Sequence, residues 1–167
     1  MMVFRLTQKL AKKIKADSLS SRPAEPNPFL DWCAHLFTAD RTQYIIVSNT
    51  ASLYSIMLFG RGIADEHRFL VRTMGCMNDF LEDDQCGFIY HRLIVPHASP
   101  KTFAKVGDRR VTGSINELVQ QAKILLAEGG ISPYDTAFRL NDIPMALLDF
   151  MTPREAFTAL KMPGAGG

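Results

Sequence analysis

The apolar positions of this chain follow two spacings, one suited to strands and one to helices. Between Trp32 and Gly60 they gather in short runs, Trp32–Thr38, Gln43–Ser48 and Leu53–Phe59, parted by turn-forming residues at Asp40-Arg41 and Asn49-Thr50. Runs of this length, rich in Ile, Val, Phe and Tyr, predict strands. The links between them are too short for parallel crossovers, so the meander is expected to be antiparallel. Val3–Leu6 predicts an opening strand, Phe88–Val95 another that ends at Pro96, and Thr102–Val106 a weaker one.

Helical spacing marks the remaining elements. Leu6, Leu10 and Ile14 recur at i, i+4, i+8 around Thr7, a residue type suited to capping a helix start. A long helix is expected from about Ala64 to Glu82, with Ile63, Leu70, Met74, Met77 and Leu81 inward and Phe69 and Phe80 beside them. Gly75 within it costs about 1 kcal/mol against Ala. A second long helix is expected within Arg109–Gly130. There Ser114 and Glu117 have the S-x-x-E spacing of a capping box, Leu118, Ala122, Leu125 and Leu126 form the buried stripe, and Gly129-Gly130 ends it. Thr152, Pro153 and Glu155 repeat the capping logic before Ala156, Phe157 and Leu160. Ser18–Pro28, with three prolines and three serines, has no periodicity and reads as a surface loop. These elements predict an α+β fold: one domain over residues 1–162, an antiparallel or mixed sheet centred on Trp32–Phe59, two long helices packed on one face, and a frayed tail over 163–167.

Composition narrows the class without naming a function. A chain of 167 residues is long enough to bury a core, and its net charge of +2 makes no overall case for nucleic acid or membrane. Cys33, Cys76 and Cys86 are few and odd in number, which argues against a disulfide framework. No apolar run approaches the roughly 20 residues needed to cross a bilayer, and lysines interrupt the N-terminal apolar residues from Lys9 to Lys15. The chain reads as cytoplasmic.

Candidate chemistry is sparse. Gly107-Asp108-Arg109-Arg110-Val111-Thr112-Gly113-Ser114 leads two arginines into an expected helix start, where free N–H groups and the helix dipole favour an anion. It matches no phosphate-loop or dinucleotide motif. Lys9, Lys12, Lys13 and Lys15 could form a phosphate patch, although the solvated face of an amphipathic helix is the plainer reading. Cys33 and His35 share a strand face and Cys86, His91 and His97 follow, but no C-x2-4-C pair accompanies the two histidines, so no metal site is expected. No nucleophile elbow or cofactor fingerprint is present, and no cofactor is expected.

Several features in order carry a family resemblance. A strand leads into Lys9-Leu10-Ala11-Lys12, then come the run from Trp32 to Phe37, Arg41 after a turn, Asn49-Thr50 and Leu53-Tyr54. An arginine (Arg109 or Arg110) precedes Gly113-Ser114-Ile115-Asn116-Glu117, and Leu140 to Met145 and Pro153 to Ala156 close the series. Taken together these resemble a bacterial family known as domain of unknown function 6933. The match departs at Ile115, where the family more often has Met, and in the register of the arginine. The resemblance implies small, cytoplasmic, bacterial proteins in mobile or accessory gene contexts, with no assigned reaction and no catalytic residues.

Three functions follow as expectations. The first is a non-enzymatic binding module in which an anionic small molecule or a nucleic-acid phosphate docks at Arg109, Arg110, Gly113, Ser114 and Asn116. The second is an enzyme on a phosphorylated or nucleotide substrate, with the same arginines as clamps and His35 or His91 as base. The third is a partner-binding protein with an adaptable apolar surface, for which Met74 and Met77 would be suited. A homodimer is also expected, from apolar residues outside the assigned core faces.

Overall fold

The computed structural model describes residues 1–164. Its centre is a five-stranded mixed sheet in the order β4-β3-β2-β1-β5. The strands are β1 (Met2–Leu6), β2 (Asp31–Ala39), β3 (Thr42–Asn49), β4 (Ser55–Phe59) and β5 (Lys101–Lys105). The helices are α1 (Gln8–Lys13), α2 (Glu66–Asp83), α3 (Arg109–Ala127), α4 (Pro133–Leu140) and α5 (Pro153–Thr158). The fold is α+β, as the pattern predicts. β2, β3 and β4 form the antiparallel meander, while β1 pairs parallel with both β2 and β5. Every residue of β1 is buried, as a strand inside a covered sheet requires.

Helices α2 and α3, of 18 and 19 residues, are the two long helices expected. They lie over opposite faces of the sheet rather than together on one, and β1 shows why. Neighbouring strand residues point to opposite faces, and Phe4 packs edge-on against Phe69 of α2 with ring centroids 5.6 Å apart. Arg5, with its register partner Cys33, instead lines a cleft with Val111 and Thr112 of α3. Helix α4 reaches both: it packs on α3, and its Phe138 stacks on Phe80 of α2 at 4.3 Å.

Each edge strand of the sheet carries a hydrogen-bonded contact from outside the sheet, which limits strand addition there. On β4, the Asn141 side chain acts as a substitute peptide: its Oδ1 accepts from the Ser55 N–H at 2.8 Å, and its Nδ2 donates to the Ser55 carbonyl at 2.9 Å. Beside β5, the Lys105 N–H donates to the Ser20 carbonyl at 3.0 Å in the loop expected over Ser18–Pro28.

Three elements differ from the sequence reading. Phe88–Val95 is no strand but a π-helical turn over Ile89–Ile94 followed by a 3₁₀ turn over Val95–His97. A short apolar run suits either form, and burying Ile89, Tyr90 and Ile94 against the core decides for the wound one. Helix α4 was not foreseen, although Ser132 caps it and Pro133 opens it. Helix α3 begins at Arg109, five residues before the expected cap at Ser114. The expected tail at 163–167 lies, from residue 165 on, outside the described residues.

Candidate functional site

The start of α3 is built differently from the anion site expected there. Asp108, in extended conformation, is the N-cap, and its Oδ1 accepts from the Arg110 N–H at 2.9 Å. A carboxylate thus already takes the place an anion would fill, and the Arg110 amide holds the Asp108 carboxyl below the usual range. The Arg110 guanidinium turns back to the same carboxylate at 3.4 Å. Ser114 is buried and donates to the Arg110 carbonyl at 2.9 Å, so it caps nothing. Arg109, Gly113 and Asn116 are exposed at i, i+4, i+7 along one helix stripe. The five expected residues share a helix without converging on one point.

Beneath this helix start lies a cleft of about 380 Å³ that includes Arg5, Asp31, Cys33 and Thr50. Its floor is a bidentate ion pair: Arg5 Nε and Nη2 donate to the two Asp31 oxygens at 2.8 and 2.9 Å. Burial alone would push the Asp31 carboxyl up, but Arg5, the Glu25 amide and the Thr50 hydroxyl hold it below the usual range. Arg5 Nη1 donates to the Arg22 carbonyl and Nη2 also to the Pro23 carbonyl. Every group of this pair is satisfied within the chain, and it fixes the Ser18–Pro28 loop to the sheet. Cys33 Sγ lies 3.3 Å from the Thr50 hydroxyl, and burial pushes its thiol up to about 11. It is a core residue, and no group of three or more metal-ligating side chains occurs among the described residues. His35, two residues along the same face, is buried with its Nε2 unpartnered, and burial pushes it down to about 4.

A different surface has the electrostatics that the α3 start lacks. Lys13, Arg41, Arg61 and Arg72 line one concavity of about 910 Å³ around Phe59, and no carboxylate lines it. They come from four elements: the end of α1, the β2–β3 turn, the β4–α2 turn and the second turn of α2. None of the four is ion-paired among the described residues. Lys13 Nζ donates to Gln43 Oε1 at 3.0 Å, which aims it at the concavity. Asp40 and Arg41 form a two-residue hairpin turn with φ of 47° and 64°. Such turns favour Gly or Asn in the second position, so holding an arginine there costs about 1 kcal/mol. Phe59 is 46% exposed, and a run of rings from Phe37 through Tyr44 supports it, with centroid spacings of 5.5 and 5.6 Å. Sequence reasoning met Lys13 and Arg41 separately and missed Arg61 and Arg72. The left-handed turn at Arg41 was the available signal.

No helix among the described residues is long and apolar enough to cross a membrane. Neither the curated proteins nor the solved structures contain a match to the chain. Residues 3–156 match the model of the family described as Domain of unknown function (DUF6933), so the resemblance carried by the Trp32, Arg41 and Gly113–Glu117 motifs holds, and the chain belongs to that family.

Proposed function

We propose that the protein is a non-enzymatic binding module for an anionic, phosphate-bearing ligand, with its site at the Lys13–Arg41–Arg61–Arg72 concavity. The observation that carries this reading is the convergence of four unpaired cations on one concave surface without a carboxylate among them. Guanidinium groups bind phosphate through paired hydrogen bonds, and a surface free of internal acids leaves those donors open. The α3 start is the second location to test, because Arg109 is exposed there. An enzymatic role finds less support: Cys33 is a protonated thiol near neutral pH, His35 is buried with its Nε2 unpartnered, and His91 is exposed, 2.7 Å from Glu82 and outside the basic concavity. Action in the bacterial cytoplasm belongs to the same proposal, supported by three unpaired cysteines. So does a dimer, for which Phe150, 72% exposed, offers apolar surface.

A thermal-shift titration with inorganic pyrophosphate tests the site. A ligand at a hundred times its Kd stabilises the folded state by about 2.7 kcal/mol, so the expected result is a clear rise in Tm. The rise should vanish in Arg61→Ala/Arg72→Ala and persist in Arg109→Ala/Arg110→Ala. The reverse pattern would move the site to the α3 start. No rise with pyrophosphate or any nucleoside triphosphate would remove the anion-binding reading.

A further inference from the structure

We infer that the ligand of the basic concavity is a single-stranded nucleic acid, with phosphates on the cations and a base stacked on Phe59. This rests on the reading that the concavity is the anion site, and three observations take it further.

The first is Phe59 itself. A phosphate site needs no aromatic ring, yet a phenyl group that is 46% exposed shares the concavity with four cations. Cations that follow a backbone together with an aromatic platform for bases are the combination that binds single strands without sequence preference. The ring is also held in place, since Tyr44 lies tilted against it and stacks in turn on Phe37. A base meeting it would therefore lose little by ordering a mobile side chain.

The second is extent. A neighbouring depression shares Gly62 and Arg72 with the concavity and adds His67 and Arg68, whose Nε lies 3.7 Å from Asp65 in an exposed, weak ion pair. Arg68 and Arg72 are one helical turn apart, about 6 Å along α2. The cationic surface therefore runs from Lys13 past Arg41 and Arg61 and on along α2, farther than one phosphate group extends. A polymer of phosphates fills such a track, whereas a free phosphate or a mononucleotide fills part of it.

The third is the strand state. Base faces in a duplex are stacked on one another, so a ring beside the phosphate track can receive a base only from an unpaired strand. Gly62, with φ of 84°, keeps backbone rather than side chain between Arg61 and the α2 cations. That leaves the track open where a chain would pass.

The test is fluorescence anisotropy with a labelled oligothymidylate of about 16 nucleotides, the upper site size for one single-strand-binding fold. The expected result is binding that weakens steeply with salt. Arg61→Ala/Arg72→Ala should weaken it at least tenfold and lower the salt slope by about 1.4, two single-strand phosphates' worth. Phe59→Ala should weaken it by roughly 5- to 150-fold, the effect of one stacked base, with the salt slope unchanged. Phe59→Trp should restore binding. Arg41→Ala, at an exposed position, serves as a second variant should Phe59→Ala fail to fold, and should lower affinity and salt slope together. If pyrophosphate binds at Arg61 and Arg72 but the oligomer binds no more tightly than a mononucleotide, the anion site stands and the single-strand inference falls. Equal affinity for duplex, with Phe59→Ala unchanged, also overturns it. Failure of both ligands removes the inference together with the reading beneath it.

Discussion

The buried His35 gives this protein a specific acid sensitivity. Its side chain shares a sheet face with its cross-strand partner Ile46 and with Met57 beyond. It is 5% exposed, and its Nε2 has no hydrogen-bond partner. Burial, the sole cause acting on it, pushes its pKa from 6.5 to about 4. Between those values the unfolded chain binds a proton that the folded chain refuses, so this contribution to stability is complete above about pH 6.5 and falls as pH is lowered. At pH 5 the loss comes to roughly 2 kcal/mol, and it approaches roughly 3 kcal/mol near pH 4. That is a large share of the 5–15 kcal/mol typical of a domain. Asp31 does not add to the loss between pH 7 and 5, because its folded pKa lies below the usual carboxylate range and its contribution fails only in stronger acid. His67, His91 and His97 are exposed. Comparison with His35→Leu isolates the buried group. Urea unfolding at pH 7 and pH 5 should show the wild-type midpoint falling by on the order of 1 M more than that of the variant, given a slope of about 2 kcal/mol/M. At pH 7 the variant should be at least as stable, since it removes an unpaired polar atom. Equal pH dependence of the two proteins would refute the reasoning.

Two further substitutions test the sheet edge and the α3 start. Asn141→Ala removes both hydrogen bonds to the Ser55 backbone and leaves a buried N–H and C=O unpaired, so urea unfolding should show a loss of roughly 2–5 kcal/mol. Light scattering should rise as the β4 edge opens to strand addition, and a loss below about 1 kcal/mol would mean that the amide does not close the edge. Gly113→Ala should stabilise by about 0.5–1 kcal/mol, because the position is helix interior and a Cβ there meets nothing within 4 Å. A fall in Tm would mean that this position does not tolerate a side chain as an ordinary helix-interior residue does.

The elements legible in the sequence are those whose signals are local. The meander was readable because Tyr44 to Val47 and Ile56 to Leu58 are short apolar runs bounded by turn residues. The helix starts at Thr7 and Thr152 were readable because a capping side chain and its target amide lie within three residues of each other. At α3 two local signals competed. Asp108 and Ser114 are both capping residue types, and Ser114 with Glu117 matched the fuller motif. Burial decided between them, because starting at Arg109 brings Val111, Ser114 and Ile115 onto the stripe that Leu118 and Val119 continue. A cap is worth about 1 kcal/mol, while burying Val111 alone is worth about 1.5–3 kcal/mol. The longer helix wins. The Phe88–Val95 turn failed for a related reason: its apolar run fits a strand, but the wound form is the one that buries Ile89, Tyr90 and Ile94 together against the core.

The basic concavity was illegible because its parts are distant in sequence and its sum is hidden by balanced composition. With 19 basic and 17 acidic residues, the net charge of +2 says nothing of where the charges gather. Only the register of β2, β3 and β4 brings the Arg41 turn beside Gly60-Arg61 and the end of α1. Two of the positions oppose what stability would select. Arg41 occupies a left-handed turn position suited to glycine. Along α2, Arg72 stands in the second turn while the last turn holds Glu82 and Asp83 with no base, the end where the helix dipole favours a cation, although Asp65 and Glu66 at the start follow the dipole. Each such placement costs a few tenths to about 1 kcal/mol, which the fold could recover by substituting Gly at 41 or exchanging the charges of α2. An arginine placed where the backbone disfavours it, beside an exposed ring, is a feature that stability alone does not explain and that the proposed binding role does.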